Sequence, residues 1–109
     1  MKIFLDDSRI CPADFTVART VDEFEKLVTE NKDDLEVISL DFDLSESGTG
    51  RTGLNACDFL VKNHIRCPKI IIHSTHPNAA VMYSFLEENM QDCEIVLKKY
   101  SIIDVMENY

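Results

Sequence analysis

Four short apolar segments of this chain each run directly into chemically active residues. Met1–Leu5 meets Asp6-Asp7, and Val37–Leu40 meets Asp41-Phe42-Asp43. Ile70–Ile72 meets His73-Ser74-Thr75-His76, and Ile95–Leu97 meets Lys98-Lys99. Stretches with helical spacing lie between most of them, and such alternation predicts an α/β layer structure with a mostly parallel sheet. In an open parallel sheet the carboxyl ends of the strands border one crevice, where ligands bind. Carboxylates, histidines, hydroxyls and lysines are thereby expected to converge on one site, a set that suits a divalent cation and a phosphate.

The helical segments have recognisable starts and stops. Thr20-Val21-Asp22-Glu23 has the capping-box pattern, with Glu three residues after Thr. Val21, Phe24, Leu27 and Val28 follow at helical spacing, and turn formers gather at Asn31–Asp34. Leu54, Cys57, Leu60 or Val61, and His64 form a second stripe, read as structural. Pro77 fits the first turn of a third helix, whose apolar face is Met82, Phe85, Leu86 and Met90. Ile102, Ile103 and Met106 suggest a short terminal helix. Phe15–Arg19 is a further, weaker strand. The stretch Asp6–Asp14 before it is shorter than the dozen or so residues a parallel crossover takes. Ser45–Gly53 reads as a polar, flexible loop beside the site.

Length and composition bound the rest. At 109 residues, 45% hydrophobic and 28% charged, residues 1–109 form a single ordinary globular domain. No apolar run approaches the ~20 residues that span a bilayer, and Asp6 and Asp7 interrupt any signal-like core. No membrane association is expected, and the cytoplasm is the expected compartment. Cys11, Cys57, Cys67 and Cys93 lack zinc or CxxC spacing and read as reduced structural thiols. The net charge of −9 disfavours broad duplex binding. A small phosphorylated ligand, a nucleic-acid end held locally, or a protein partner with a basic patch remains compatible.

Asp6, Asp7 and Asp41 repel one another unless a cation intervenes, and all-oxygen ligands favour Mg²⁺, Mn²⁺ or Ca²⁺ over zinc. Asp41 is a candidate metal ligand or nucleophile. Asp43 is a second ligand, a cap or a solvated loop residue. His73 is either a packed core histidine or a general acid/base. Ser74 and Thr75 can donate to a phosphate oxygen or cap the next helix. Lys98 would balance the carboxylates and bind phosphate as a point charge, with Lys99 solvated and His76 a loop residue.

This pattern resembles the receiver domains of two-component signalling, with Asp6-Asp7, Asp41, Ser74 and Lys98 at the corresponding strand ends. The wording IFLDDSR, ISLDFDL and IIIHSTHP is closer to a divergent branch, the cyclic-phosphate processing receiver-like domains. Asp6, Asp7, Arg9, Asp41, Asp43, His73, Ser74 and Pro77 match that branch. Phe42 stands where it usually has His, and His76 where it usually has Asn. His76 offers a substitute imidazole from across the crevice.

The resemblance implies a receiver-like, flavodoxin-like five-stranded parallel sheet with helices on both faces and the first helix missing or reduced to a loop. It implies Mg²⁺, or Mn²⁺, on Asp6, Asp7 and Asp41. As a cyclic phosphodiesterase, the chain would use Asp41, His73 and Asp43 in catalysis and Ser74, Thr75, Lys98 and Arg9 on phosphate. A receiver phosphorylated on Asp41 and a non-catalytic binding domain are the alternatives.

Overall fold

The structure, a computed structural model, describes residues 1–46 and 48–98. Its elements are β1 (Lys2–Leu5), β2 (Thr16–Ala18), α1 (Val21–Glu30), β3 (Val37–Leu40), α2 (Gly53–Lys62), β4 (Lys69–His73), α3 (Ala79–Asn89) and β5 (Glu94–Lys98). The strands form one sheet in the order β2-β1-β3-β4-β5, and every pairing is parallel. This is the parallel α/β sheet the alternation predicts and the flavodoxin-like, receiver-like architecture the resemblance implies. The chain leaves β1 toward β2 and returns to the other side of β1 with β3. The loops after β1 and β3 therefore diverge and open a crevice at the carboxyl edge.

Asp6–Phe15 joins β1 to β2 without a helix. The link is a short parallel crossover, and Asp6 N–H still donates to the Ala18 carbonyl at 3.1 Å. The expected loss of the first helix is thus a structural fact.

Register explains the near-continuous apolar strands. Ile3, Ile38, Ile70 and Ile95 stand side by side, as do Leu5, Leu40, Ile72 and Leu97. The α-helices cover this face up to Leu97, which is exposed on the edge strand: α1 contributes Val21, Phe24 and Val28, α2 Ala56, Cys57 and Leu60, and α3 Ala79, Met82 and Leu86. Burial of each large aliphatic residue stabilises the fold by about 1.5–3 kcal/mol relative to exposure. Side chains alternate along a strand, so Phe4, Ser39 and Ile71 occupy the opposite face, and all three are buried. α1, α2 and α3 form one layer, so among the described residues the helices lie on one face of the sheet rather than on the expected two. The terminal helix expected at Ile102, Ile103 and Met106 lies outside the described residues. No described helix is long and apolar enough to cross a membrane.

Local signals held with small shifts. Thr20 caps α1, accepting the Glu23 N–H at 3.1 Å, but Glu23 Oε1 accepts from Arg19 N–H at 2.8 Å rather than from Thr20. α2 begins with a capping box of its own, Thr52 with Asn55. It ends at Lys62, so His64 is not on the helix stripe. His64 adopts φ 52°, with its N–H on Val61 O and that of Ile65 on Leu60 O, a Schellman stop with histidine where glycine is usual. α3 opens at Ala79, leaving Pro77 in the preceding turn. The loop after β3, expected to be flexible, is tied to α1. Glu46 Oε2 accepts the Val21 N–H at 2.9 Å, and Arg51 pairs with Asp22 and Glu25.

Gly53 sets how closely α2 approaches β3. Its N–H donates to Phe42 O at 2.8 Å. A Cβ there would lie 2.1 Å from the Asp41 carbonyl oxygen and 2.7 Å from Met82 Cε. Gly53→Ala is expected to cost about 2 kcal/mol by forcing α2 off the strand end. Urea unfolding measures this, and a variant within 0.5 kcal/mol of wild type (on the order of ordinary surface substitutions) would contradict it.

Candidate functional site

The carboxyl edge of the sheet carries a cleft of about 310 Å³ lined by Asp7, Ser8, Arg9, Asp41, Asp43, Ser45, Ser74, Thr75 and His76. A larger cavity of about 700 Å³ lies at the opposite edge, among residues such as Lys32, Arg66, Cys67 and Cys93. Size therefore does not mark the site, because none of the candidate residues lines the larger cavity. The divergence of the loops after β1 and β3 places the acidic residues together at the smaller one.

Asp6 is fully buried. Its Oδ1 accepts the Ser8 and Arg9 backbone N–H groups at 3.0 and 2.9 Å. Its Oδ2 accepts from Arg9 Nη1 at 3.1 Å and from His73 Nε2 at 3.0 Å. Burial pushes this carboxyl up, but hydrogen bonds from His73, Arg9 and Ser8 outweigh it and hold the group well below the usual carboxylate range.

Asp41 shows the opposite balance. Burial first, then the charge of Asp6, raise its pKa to about 6, despite Arg9, the Phe42 N–H and the Ser74 hydroxyl favouring the anion. Phe42 N–H donates to Oδ1 at 2.8 Å and Arg9 Nη1 to Oδ2 at 3.0 Å. One guanidinium nitrogen thus bridges both buried carboxylates. The Arg19 guanidinium in turn donates to the carbonyls of Asp6 and Arg9 at 3.2 and 2.8 Å, clamping the β1–β2 strap that carries Arg9.

His73 lies beneath the cleft rather than in it. It is fully buried and stacks on Phe4, with ring centroids 4.4 Å apart and planes within 5°. Nδ1 lies 2.6 Å from Ser39 Oγ, and Nε2 faces the Asp6 carboxylate. An ionised carboxylate can only accept, so the hydrogen-bond network assigns the ring proton to Nε2. Burial lowers the pKa of His73, and the bond to Asp6 only partly restores it. Of the two alternatives for His73, this geometry is that of the packed, hydrogen-bonded core histidine: both nitrogens are engaged, and the ring is placed to orient Asp6.

The remaining candidates are spread around the cleft. Asp7 is half-buried, with its Oδ1 3.4 Å from Ser8 Oγ. Asp43 is exposed on the rim and accepts the Ser45 N–H at 3.1 Å. Ser74 is buried, accepting the His76 N–H at 3.1 Å, and Thr75 is exposed. Lys98 stands in register beside His73 at the end of β5 but is not among the residues lining the cleft. Lys99 lies outside the described residues. Ser39 went unread in the sequence. Its signal is a single hydroxyl inside the apolar run Val37–Leu40, which a buried polar partner must satisfy.

Asp6, Asp7 and Asp41 each offer an oxygen, and these oxygens lie within 4.8 Å of one another, so the three could hold a metal ion. Residues 1–88 match the family model of the cyclic-phosphate processing receiver domain. The chain belongs to this family. The matched stretch runs from β1 into α3 and takes in every candidate except Lys98. A search of curated proteins and one of solved structures each found no match. In this cyclic-phosphate processing receiver domain the acidic pair, Asp41 and the His73-Ser74 dipeptide all come to one edge. The family is linked to cyclic-phosphate processing, and in this chain an acidic cluster stands at that edge.

Proposed function

We propose that the domain carries out metal-dependent hydrolysis of a cyclic phosphate, at a nucleotide or RNA end. The observation that carries this is the meeting of Asp7 and Asp41 with Ser74 and Thr75 on one small cleft, with an oxygen of the buried Asp6 within 4.8 Å of theirs. An all-oxygen donor set fits Mg²⁺, with Mn²⁺ as the alternative. The fit has one condition, since Arg9 Nη1 already lies 3.1 and 3.0 Å from Asp6 and Asp41. Arg9 must release at least one of these oxygens. A bound Mg²⁺ would polarise the phosphate and acidify a water.

The chain's own residues supply the rest. The Ser74 and Thr75 hydroxyls and the released Arg9 hold phosphate oxygens. Asp43, on the rim, takes the proton of an attacking water. Attack forms one P–O bond and breaks one ring P–O bond, and the leaving oxygen is protonated from solvent. His73 and Ser39 keep Asp6 oriented throughout.

The test is hydrolysis of a 2′,3′-cyclic nucleotide with Mg²⁺ or Mn²⁺, with Asp41→Asn as control. Turnover that is lost in the variant is the expected result. No turnover while a divalent cation still binds would reject hydrolysis and leave a phospho-acceptor or binding domain.

A further inference from the structure

We infer that His76 is a fixed hydrogen-bond donor of the cleft, presenting Nε2–H to a phosphate oxygen from a platform formed by Phe42. This rests on the cleft being a phosphate site, as proposed above, and adds the residue that reads the ligand's oxygens.

His76 is exposed at the cleft rim, yet it is held at several points. Its backbone N–H donates to Ser74 Oγ at 3.1 Å, and its carbonyl accepts the Ala79 N–H at 3.0 Å. The ring stacks on Phe42, with centroids 4.4 Å apart and planes 29° apart. Phe42 is itself packed against the core. The decisive contact is at the ring edge, where Nδ1 accepts the Asn78 backbone N–H at 3.0 Å. A nitrogen that accepts carries no proton, so the ring N–H sits on Nε2.

An imidazole locked in this way suits one task better than another. Acting as a general acid would require a proton on both nitrogens, and the Asn78 N–H occupies the lone pair that would take the second. Acting as a general base would require Nε2 to be bare. A fixed N–H donor in a cleft that already holds two hydroxyls is suited to an oxyanion, and it needs no reorganisation when the ligand arrives. Phe42 cannot hydrogen-bond, so its contribution is to hold the ring.

The experiment is imidazole ¹⁵N–¹H correlation spectroscopy of the full chain with Mg²⁺ and inorganic phosphate as the probe. The chain has only 3 histidines, and His76→Gln identifies the His76 signals. The free protein should show the Nε2–H tautomer, and phosphate should move that resonance. His76→Ala should weaken phosphate binding about tenfold, the scale of one hydrogen bond to a charged group. His76→Gln, which retains a donor, should recover most of it. An Nδ1–H tautomer, or a silent His76 while the Ser74 and Thr75 amides respond, would overturn the inference and leave the phosphate site standing. If no cleft resonance responds to phosphate, both the inference and the proposed function fall.

Discussion

Asp41→Asn is expected to stabilise the metal-free protein at pH 7 by about 2 kcal/mol while removing the stabilisation by divalent cations that the proposed metal site predicts. The sign follows from proton linkage. The folded-state pKa of Asp41 is about 6, against 3.8 for the unconstrained group. From pH 3.8 to about 6 the native state holds a proton that the unfolded chain has released, so stability falls as pH rises through this window. Above it the cost is constant, on the order of 3 kcal/mol for a shift of this size. Asparagine never acquires the charge. It recovers less than the full amount because its one oxygen cannot serve both Arg9 and the Phe42 N–H. Urea denaturation in chelator at pH 4 and pH 7 measures the effect, which should nearly vanish at the lower pH. A variant less stable than wild type at pH 7 would refute the electrostatic account.

The same variant exposes slopes that Asp41 masks. His73 has a lowered pKa, so its contribution is complete above 6.5 and is lost as pH falls below that value. The Asp6 pKa is also lowered, and its contribution is lost as pH falls below 3.8. Of the two, His73 opposes Asp41 within its window, whereas Asp6 acts below it. Wild-type stability is therefore expected to be flatter between pH 4 and 6.5 than that of Asp41→Asn.

Arg9→Met should act in the other direction, costing about 3 kcal/mol in the absence of metal. Breaking a buried ion pair by deleting one partner leaves a charge without compensation. Here two are left, on side chains that are 0% and 5% exposed, while Arg9 itself is 30% exposed, which moderates the loss. Methionine keeps the length and apolar character of the stem, so the loss reports on charge. Two further results discriminate. The cost should fall by about half in the Asp41→Asn background, because one orphaned carboxylate is gone. Mg²⁺ or Mn²⁺ should bind about tenfold more tightly to Arg9→Met, because no guanidinium competes for the oxygens. Calorimetric titration of both proteins decides this, and unchanged affinity would show that Arg9 and the metal do not share a position.

The sheet was legible because its strands are nearly pure runs of apolar residues that stop at charges. Lys69–His73, with three isoleucines, could hardly be anything else. Asp6, Asp7 and Asp41 could be grouped from chain order alone, since parallel topology sends consecutive strand ends to one edge. His73 was harder, because a strand-end histidine looks the same whether it points to solvent or to another buried polar group. The partnerships with Ser39 and Asp6, both distant in sequence, separate the two. Arg9 was read as a ligand for phosphate, and nothing local reveals that its guanidinium bridges two carboxylates from different strands. The stop of α2 at Lys62 was obscured because His64 takes a left-handed conformation usually marked by glycine.

The helix-free crossover between β1 and β2 has a consequence for how such a pocket can change. A helix after β1 would carry its side chains along an axis leading away from Asp6. The short strap instead turns back at once, so the counter-charge arrives three residues after the carboxylate it neutralises. Arg19 anchors both of their carbonyls. Strap length and pocket charge are thereby coupled. Insertions here would shift the electrostatic set-point of the pocket while leaving the sheet intact, and with it the affinity for the proposed metal.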